Sequence, residues 1–238
     1  MRTSSLFLAI LVTTFTMSAD VAGGGPDQAI LNRYLSATQA QQDSMRGLTM
    51  EVAIDAQIPK LKKEGKLHAI RSISKVGKIT YRMLGFSGDN TVKKEVIARY
   101  LQAETQAQQG PNISITPQNY KFKFKGVREL DGRDIYVFHI SPHKKRVGLF
   151  KGQLWLDADT CMPVHEEGRF VKNPSIFFKK VEFARDYHIQ NGLAMPTHMN
   201  SRVETRIVGP VELNVDYLGF SKEAEPLTAV TTGGGGSR

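Results

Sequence analysis

From Leu48 to Ile58 the residues alternate in character: Leu48, Met50, Val52, Ile54, Ala56 and Ile58 hold one parity, and Thr49, Glu51, Ala53, Asp55 and Gln57 the other. A period of two is that of a strand with one buried face. The alternation returns at Tyr120, Phe122 and Phe124 between Lys121, Lys123 and Lys125, and again at Val181 and Phe183. It recurs from Met195 to Ile207, with Asn200, Arg202, Glu204 and Arg206 outward, and at Val211, Leu213, Val215 and Tyr217. Weaker strand patterns cover Lys66 to Ser74, Lys78 to Phe86, Asp134 to Ile140, Gly152 to Asp157 and Pro163 to Val171, which brings the expected number to about ten.

Two stretches break this period. Pro26-Asp27 opens a helix that is expected to run to about Asp43, with Ile30, Leu31, Tyr34, Leu35 and Thr38 on one side and Gln28, Asn32, Arg33, Gln39 and Gln42 elsewhere. In Thr91 to Gln109, Val92, Val96, Ile97 and Leu101 suit a second helix, although Val96 to Leu101 also fits a strand. The links between strands are turns: Lys75-Val76-Gly77, Asp131-Gly132, Asp157-Ala158-Asp159, Asn191-Gly192 and Gly209-Pro210. Short links pair neighbours antiparallel, and alternation with one polar face means a sheet covered on one side. The fold class is mainly β (α+β), a strongly curved antiparallel sheet whose concave face an N-terminal helix and a further helix help to cover. Such a concavity is a preferred place for an apolar ligand.

Composition agrees with one globular unit: 238 residues, 40% hydrophobic and 23% charged. The expected division is a signal peptide over 1–19, a flexible segment over 20–26, a single domain over 27–222 and a disordered tail over 223–238. The signal reading rests on Arg2, the apolar run Leu6 to Val12 and the small exit Ser18-Ala19, with Ala22 an alternative cleavage point. The apolar run is far shorter than the roughly 20 residues that span a bilayer. No Cys follows it to carry a lipid, so a soluble periplasmic protein is expected. The 32 Lys and Arg exceed the 23 Asp and Glu, a net charge of +9. The single Cys161 makes neither an intramolecular disulfide nor a zinc cluster.

Catalytic patterns are weak. Ser87 in Gly85-Phe86-Ser87-Gly88 lacks the spacing of a nucleophile elbow and is not expected in a strand-to-helix context. Cys161 has His165 four residues on, but no evident group to orient it. His68, His139, His143, His165, His188 and His198 show no metalloprotease spacing, and Asp157 and Asp159 read as turn formers rather than calcium ligands. No metal, no cofactor and no catalysis are expected. Lys121, Lys123 and Lys125, with Lys144-Lys145-Arg146 and Lys179-Lys180, form a solvated outer face or a surface for anionic lipid headgroups. Nucleic acid is not an expected partner of an exported chain. Met50, Met195 and Met199 lie on apolar strand faces, where flexible thioethers fill a core or accept apolar shapes.

The helix Asp27 to Asp43 leading into the alternating first strand resembles the periplasmic outer-membrane lipoprotein-sorting carriers, the LolA/LolB-like superfamily. So do the paired strands Tyr120 to Gly126 and Asp131 to Val137, the segment Gly152-Gln153-Leu154-Trp155-Leu156-Asp157 followed by Met162-Pro163-Val164, and the closing strand Val211 to Phe220. The resemblance implies an open half-barrel of about 10–11 strands, with helices lidding a cavity for acyl chains of lipids or lipoproteins. Related sensors that bind lipoproteins or envelope-stress regulators share that fold. The chain departs from the carriers in its length through Thr91 to Pro117 and in its basicity. The expected function is acyl-chain binding against Val52, Ile54, Phe122, Phe124, Met195 and Met199, with Lys123 and Lys125 at the rim meeting phosphates. An anionic membrane surface or an envelope membrane protein is a further expected partner. The alternative is an envelope interaction or stress-sensing module whose apolar face is filled core; a hydrolase using Cys161 or a histidine pair is a third reading.

Overall fold

The structure is a computed structural model that describes residues 26–107 and 112–222. The expected signal peptide 1–19 and tail 223–238 lie outside the described residues, as does nearly all of 20–26. Helix α1 (Pro26–Ser44) starts on its proline with Asp27 in the first turn, and it buries Ile30, Leu31 and Tyr34 while Gln28, Asn32 and Arg33 face solvent.

The strands are β1 (Leu48–Ile58), β2 (Lys63–Ile73), β3 (Ile79–Gly88), β4 (Tyr120–Leu130), β5 (Arg133–Pro142), β6 (Phe150–Asp157), β7 (Pro163–Phe170), β8 (Phe178–Gln190), β9 (Leu193–Thr205) and β10 (Pro210–Lys222). They form one sheet of ten strands in the order β3-β2-β1-β10-β9-β8-β7-β6-β5-β4, every pair antiparallel. β3 and β4 are the two free edges, so the sheet is an open half-barrel. The chain passes from one edge to the other through α2 (Asn90–Val92), a π-helical turn (Lys93–Ile97) and α3 (Ala98–Ala107). Asp89 opens this segment, its carboxylate accepting from the Thr91 N–H. The helical alternative is therefore the one realised over the described part of this stretch, 91–107.

The turn chemistry sets the register. Asp131-Gly132 and Asn191-Gly192 both take positive φ at both positions, as the tight two-residue hairpin requires. Alternation along each strand then separates two faces. Val52, Ile54, Ala56, Leu67, Leu213 and Val215 turn inward under Val92 and Ile97, forming one apolar cluster. Phe138, Ile140, Leu149, Phe150, Leu154 and Leu156 turn inward beside Ile30, Leu31 and Tyr34, forming a second.

The opposite face is not uniformly polar. Ile135 and Val137, of opposite parity to Phe138 and Ile140, are each 1% exposed. Val137 pairs with Trp155, whose ring lies 4.9 Å from that of His165 and 5.5 Å from the Arg128 guanidinium carbon. A small apolar patch thus sits on the outer face, where one-sided covering was expected.

Candidate functional site

The helix-covered face has three parts. Beneath the second helical segment, Val52 and Ile54 of β1 are 0% and 1% exposed and pack with Met199 of β9. At the other side Phe122 and Phe124 of β4 project inward but stay half-buried. Phe124 stands 5.3 Å from Phe138 and 6.1 Å from Tyr136, and Phe122 stands 6.5 Å from Tyr34 of α1, ring centre to ring centre. A second aromatic file joins Phe150, Phe183 and Phe170, with Phe183 lying 4.8 and 5.6 Å from the other two. Phe170, Phe183 and Tyr136 are also half-buried, so this side offers an aromatic surface that α1 does not close.

Between the clusters runs a polar seam that sequence reading missed. Arg71 of β2 donates to Glu104 of α3 through Nη2 at 2.8 Å and Nε at 3.1 Å, and Tyr81 of β3 donates its hydroxyl to the other carboxylate oxygen. Arg71 also lies 3.6 Å from the Met50 sulfur through Nη1. Burial pushes the Glu104 carboxyl up, but the Arg71 charge and the bonds from Tyr81 and Arg71 outweigh it and hold the group below its ordinary value. Burial works against the Arg71 charge as well, and Glu104 reverses that, leaving the guanidinium more firmly protonated than usual.

A second cation, Arg185 of β8, reaches the Tyr187 hydroxyl at 3.3 Å and Glu166 at 3.6 Å through Nη1, and the Met199 sulfur at 3.8 Å through Nη2. Among the described residues its Nε–H has no partner. The seam's central contact, Arg71 with Glu104, joins residues 33 apart in sequence, and no local motif announces it.

The covers are tied at few points. Arg33 of α1 donates to the Asp159 carbonyl at 2.5 Å, Tyr34 to the Ile115 carbonyl at 3.2 Å, and Gln41 both donates to and accepts from the Ala194 backbone at 3.1 and 2.8 Å. α3 is held by the Arg71–Glu104–Tyr81 group and by its apolar side.

The other expected site residues scatter. Met195 is buried on β9 but belongs to neither cluster. Lys123 and Lys125 are exposed on the outer face, opposite Phe122 and Phe124, and Lys123 pairs with His139. Burial and the charges of Lys151, Lys125 and Lys123 lower the His139 pKa. These ammoniums do not border the apolar face.

Ser87 lies within β3 opposite Lys66, and the strand passes into helix at Asn90, a context not expected from sequence, but Ser87 sits inside the strand register rather than on a turn. Cys161 takes φ 55° in the β6–β7 connection and is fully buried; burial, first among its influences, raises its thiol pKa. Among the described residues no group of three or more His, Cys, Asp or Glu is arranged to hold a metal ion. Two histidines pair instead with carboxylates on the outer face, His165 with Asp186 at 2.6 Å and His198 with Asp216 at 2.7 Å.

No protein-family model matches the chain, and no curated protein matches it. Among solved structures, it is similar to a DUF1329 family protein from Desulfovibrio piger, with a TM-score of 0.48 and 13% identity over 85% of this chain and 95% of that one. It is similar also to a LolA superfamily protein from Nitrosomonas europaea, with a TM-score of 0.41 and 13% identity over 84% and 94% of the two chains. A domain assigned as an outer-membrane lipoprotein-sorting protein from Vibrio parahaemolyticus gives 0.43 and 9% over 82% and 93%. Function has to be read from the chain's own residues.

Proposed function

We propose that the chain is an exported binding protein of the periplasm that takes acyl chains of a lipid or lipoprotein against the inner face of its half-barrel. The observation that supports this reading is the half-buried aromatic surface of Phe122, Phe124, Tyr136, Phe170 and Phe183, which the described residues cover only in part on the same face that helices close elsewhere. Each methylene buried there contributes about 0.8 kcal/mol. The completely buried Val52 and Ile54 enter the site only when the second helical segment lifts, which requires the Arg71–Glu104–Tyr81 group to part.

That same complete burial favours a second reading for this side of the sheet, an envelope interaction module with a filled core. The two are separated by native mass spectrometry of protein recovered gently from its host envelope, followed by lipid extraction. A near-stoichiometric lipid or lipopeptide, lost in Phe122→Asp/Phe124→Asp while the folded state persists, is the expected result. Protein free of lipid, whose inner-face variants only unfold, overturns the carrier reading in favour of the module.

A further inference from the structure

One end of the sheet differs from the other in charge and in exposed apolar surface. The connections β1–β2, β5–β6, β7–β8 and β9–β10 all gather there, since β1 ends beside the start of β10. They form a continuous rim. Arg206 donates through its backbone N–H to the Phe177 carbonyl and through Nε to the Ile176 carbonyl, both at 2.9 Å. The Val171 N–H reaches the Leu149 carbonyl at 3.0 Å, and a Cβ on Gly209 would stand 3.3 Å from Lys60 Cδ.

The tips of this rim are apolar and unburied: Ile176 is 82% exposed, Ile207 69% and Phe177 54%. Leu61 and Val147 are exposed beside them. The cations lie between these tips. The β1–β2 turn carries Lys60 and Lys62, the β5–β6 loop Lys144, Lys145 and Arg146, and the β7–β8 loop Lys172, with Arg206 beyond β9. At the opposite end Arg46 pairs with Asp43 at 3.4 Å, and Lys75, Lys78 and Arg133 share the connections with Asp131 and Asp159.

The rim also holds a depression of about 210 Å³ lined by Gln118, Asn119, His143, Lys144, Arg146 and Leu149. Asn119 accepts from Arg146 Nη2 at 2.6 Å, fixing the guanidinium, and among the described residues the buried Arg146 Nε–H has no partner. A guanidinium fixed beside an ammonium suits a phosphate oxygen.

We propose that this rim docks the protein on an anionic phospholipid bilayer, the tips Ile176, Phe177 and Ile207 entering the headgroup layer while the surrounding cations meet phosphates, one of them in the Arg146 depression. Protruding apolar tips among cations match a surface that is charged outside and apolar within. Each cation near such a surface contributes binding that salt screens. Docking in this way does not depend on an acyl ligand within the sheet, so it stands or falls apart from the carrier reading.

The test is flotation of the full chain with vesicles of phosphatidylcholine containing about a third phosphatidylglycerol, beside vesicles of phosphatidylcholine alone. The anionic vesicles are expected to carry the protein and the neutral ones not. Lys144→Gln/Lys145→Gln/Lys172→Gln is expected to weaken binding roughly 100-fold. Ile176→Ser/Phe177→Ser/Ile207→Ser is expected to bind at low salt but to lose the fraction that resists about 0.5 M salt. Lys121→Gln/Lys123→Gln/Lys125→Gln removes as many exposed cations from the outer face and is expected to stay within about threefold of the parent. All these side chains are at the surface, so the fold survives their replacement. Equal binding to neutral vesicles, equal losses in the two lysine variants, or inorganic phosphate binding without flotation would each overturn the proposal; capture of an envelope protein by a chain that does not float would reassign the rim to that partner.

Discussion

Gly152 and Gly168 face each other across β6 and β7 where the two backbones come unusually close. A Cβ on Gly152 would overlap the Glu167 carbonyl oxygen and stand 2.6 Å from Gly168 Cα; one on Gly168 would stand 2.7 Å from the Lys151 carbonyl. Neither glycine has a φ that demands its residue type, so the requirement is for space. Gly152→Ala is expected to cost about 3 kcal/mol in urea denaturation, since backbone has to move. Gly85→Ala, where a Cβ meets nothing within 4 Å, is expected to change stability by less than about 0.5 kcal/mol. The sequence offers no sign of which glycine is which, because the difference lies in a contact between two strands. The same limit applied to Lys123 and Lys125: alternation along β4 assigns their face, but not what that face looks upon.

At the scale of elements, α3 is a cover fastened by one charged group. Glu104 is held below the ordinary carboxyl range, and a group depressed on folding contributes stability that is complete above its unfolded value, about 4.3, and lost as pH falls through the folded one. The protection factors of the amides over 98–106, with the intrinsic exchange rate at each pH divided out, are therefore expected to stay constant from neutrality to about pH 5 and to fall in more acidic solution. Glu104→Gln leaves Arg71 buried without its counter-charge and is expected to cost about 3 kcal/mol at neutral pH and to abolish that acid response. Loss of the variant's stability without any change in the pH profile would mean that Glu104 holds α3 by packing alone.

The strands β1, β4, β8, β9 and β10 were legible because each carries a period of two in its own residues, and β1 runs over the residues its alternation marks, Leu48–Ile58; β3 and β7 bury no regular alternation and were marked mainly by the turns that bound them. The Arg71–Glu104–Tyr81 group was not, because three elements contribute one residue each. Between these cases stands the second helical segment, whose buried Val92 and Ile97 fit a helix, while the π-helical turn at Lys93–Ile97 leaves no mark in the pattern.

Taken as a whole, the molecule is a meander from β4 to β10 and a second from β1 to β3, joined where the first strand meets the last, with Leu48 opposite Lys222 and Gln57 opposite Glu212. A chain ended before Pro210 is expected to leave the β1 amides that point towards β10 unprotected from exchange, while those paired with β2 keep their partners. The candidate site followed the same division. Its apolar membership could be read strand by strand, whereas the separation of Val52 and Ile54 from Phe122 and Phe124 into two clusters depends on the order in which the strands are laid side by side.

That join fixes what happens as the chain is made. If it crosses a membrane unfolded and amino end first, β1 emerges with its alternating apolar residues bare and its hydrogen-bonding edge without a neighbour. β10 follows only after the other nine strands. Throughout that interval β1 is a sticky edge able to pair with other nascent chains. Biogenesis along that route is then expected to depend on shielding Leu48–Ile58 until β10 arrives, and without such shielding to lose chains to aggregation.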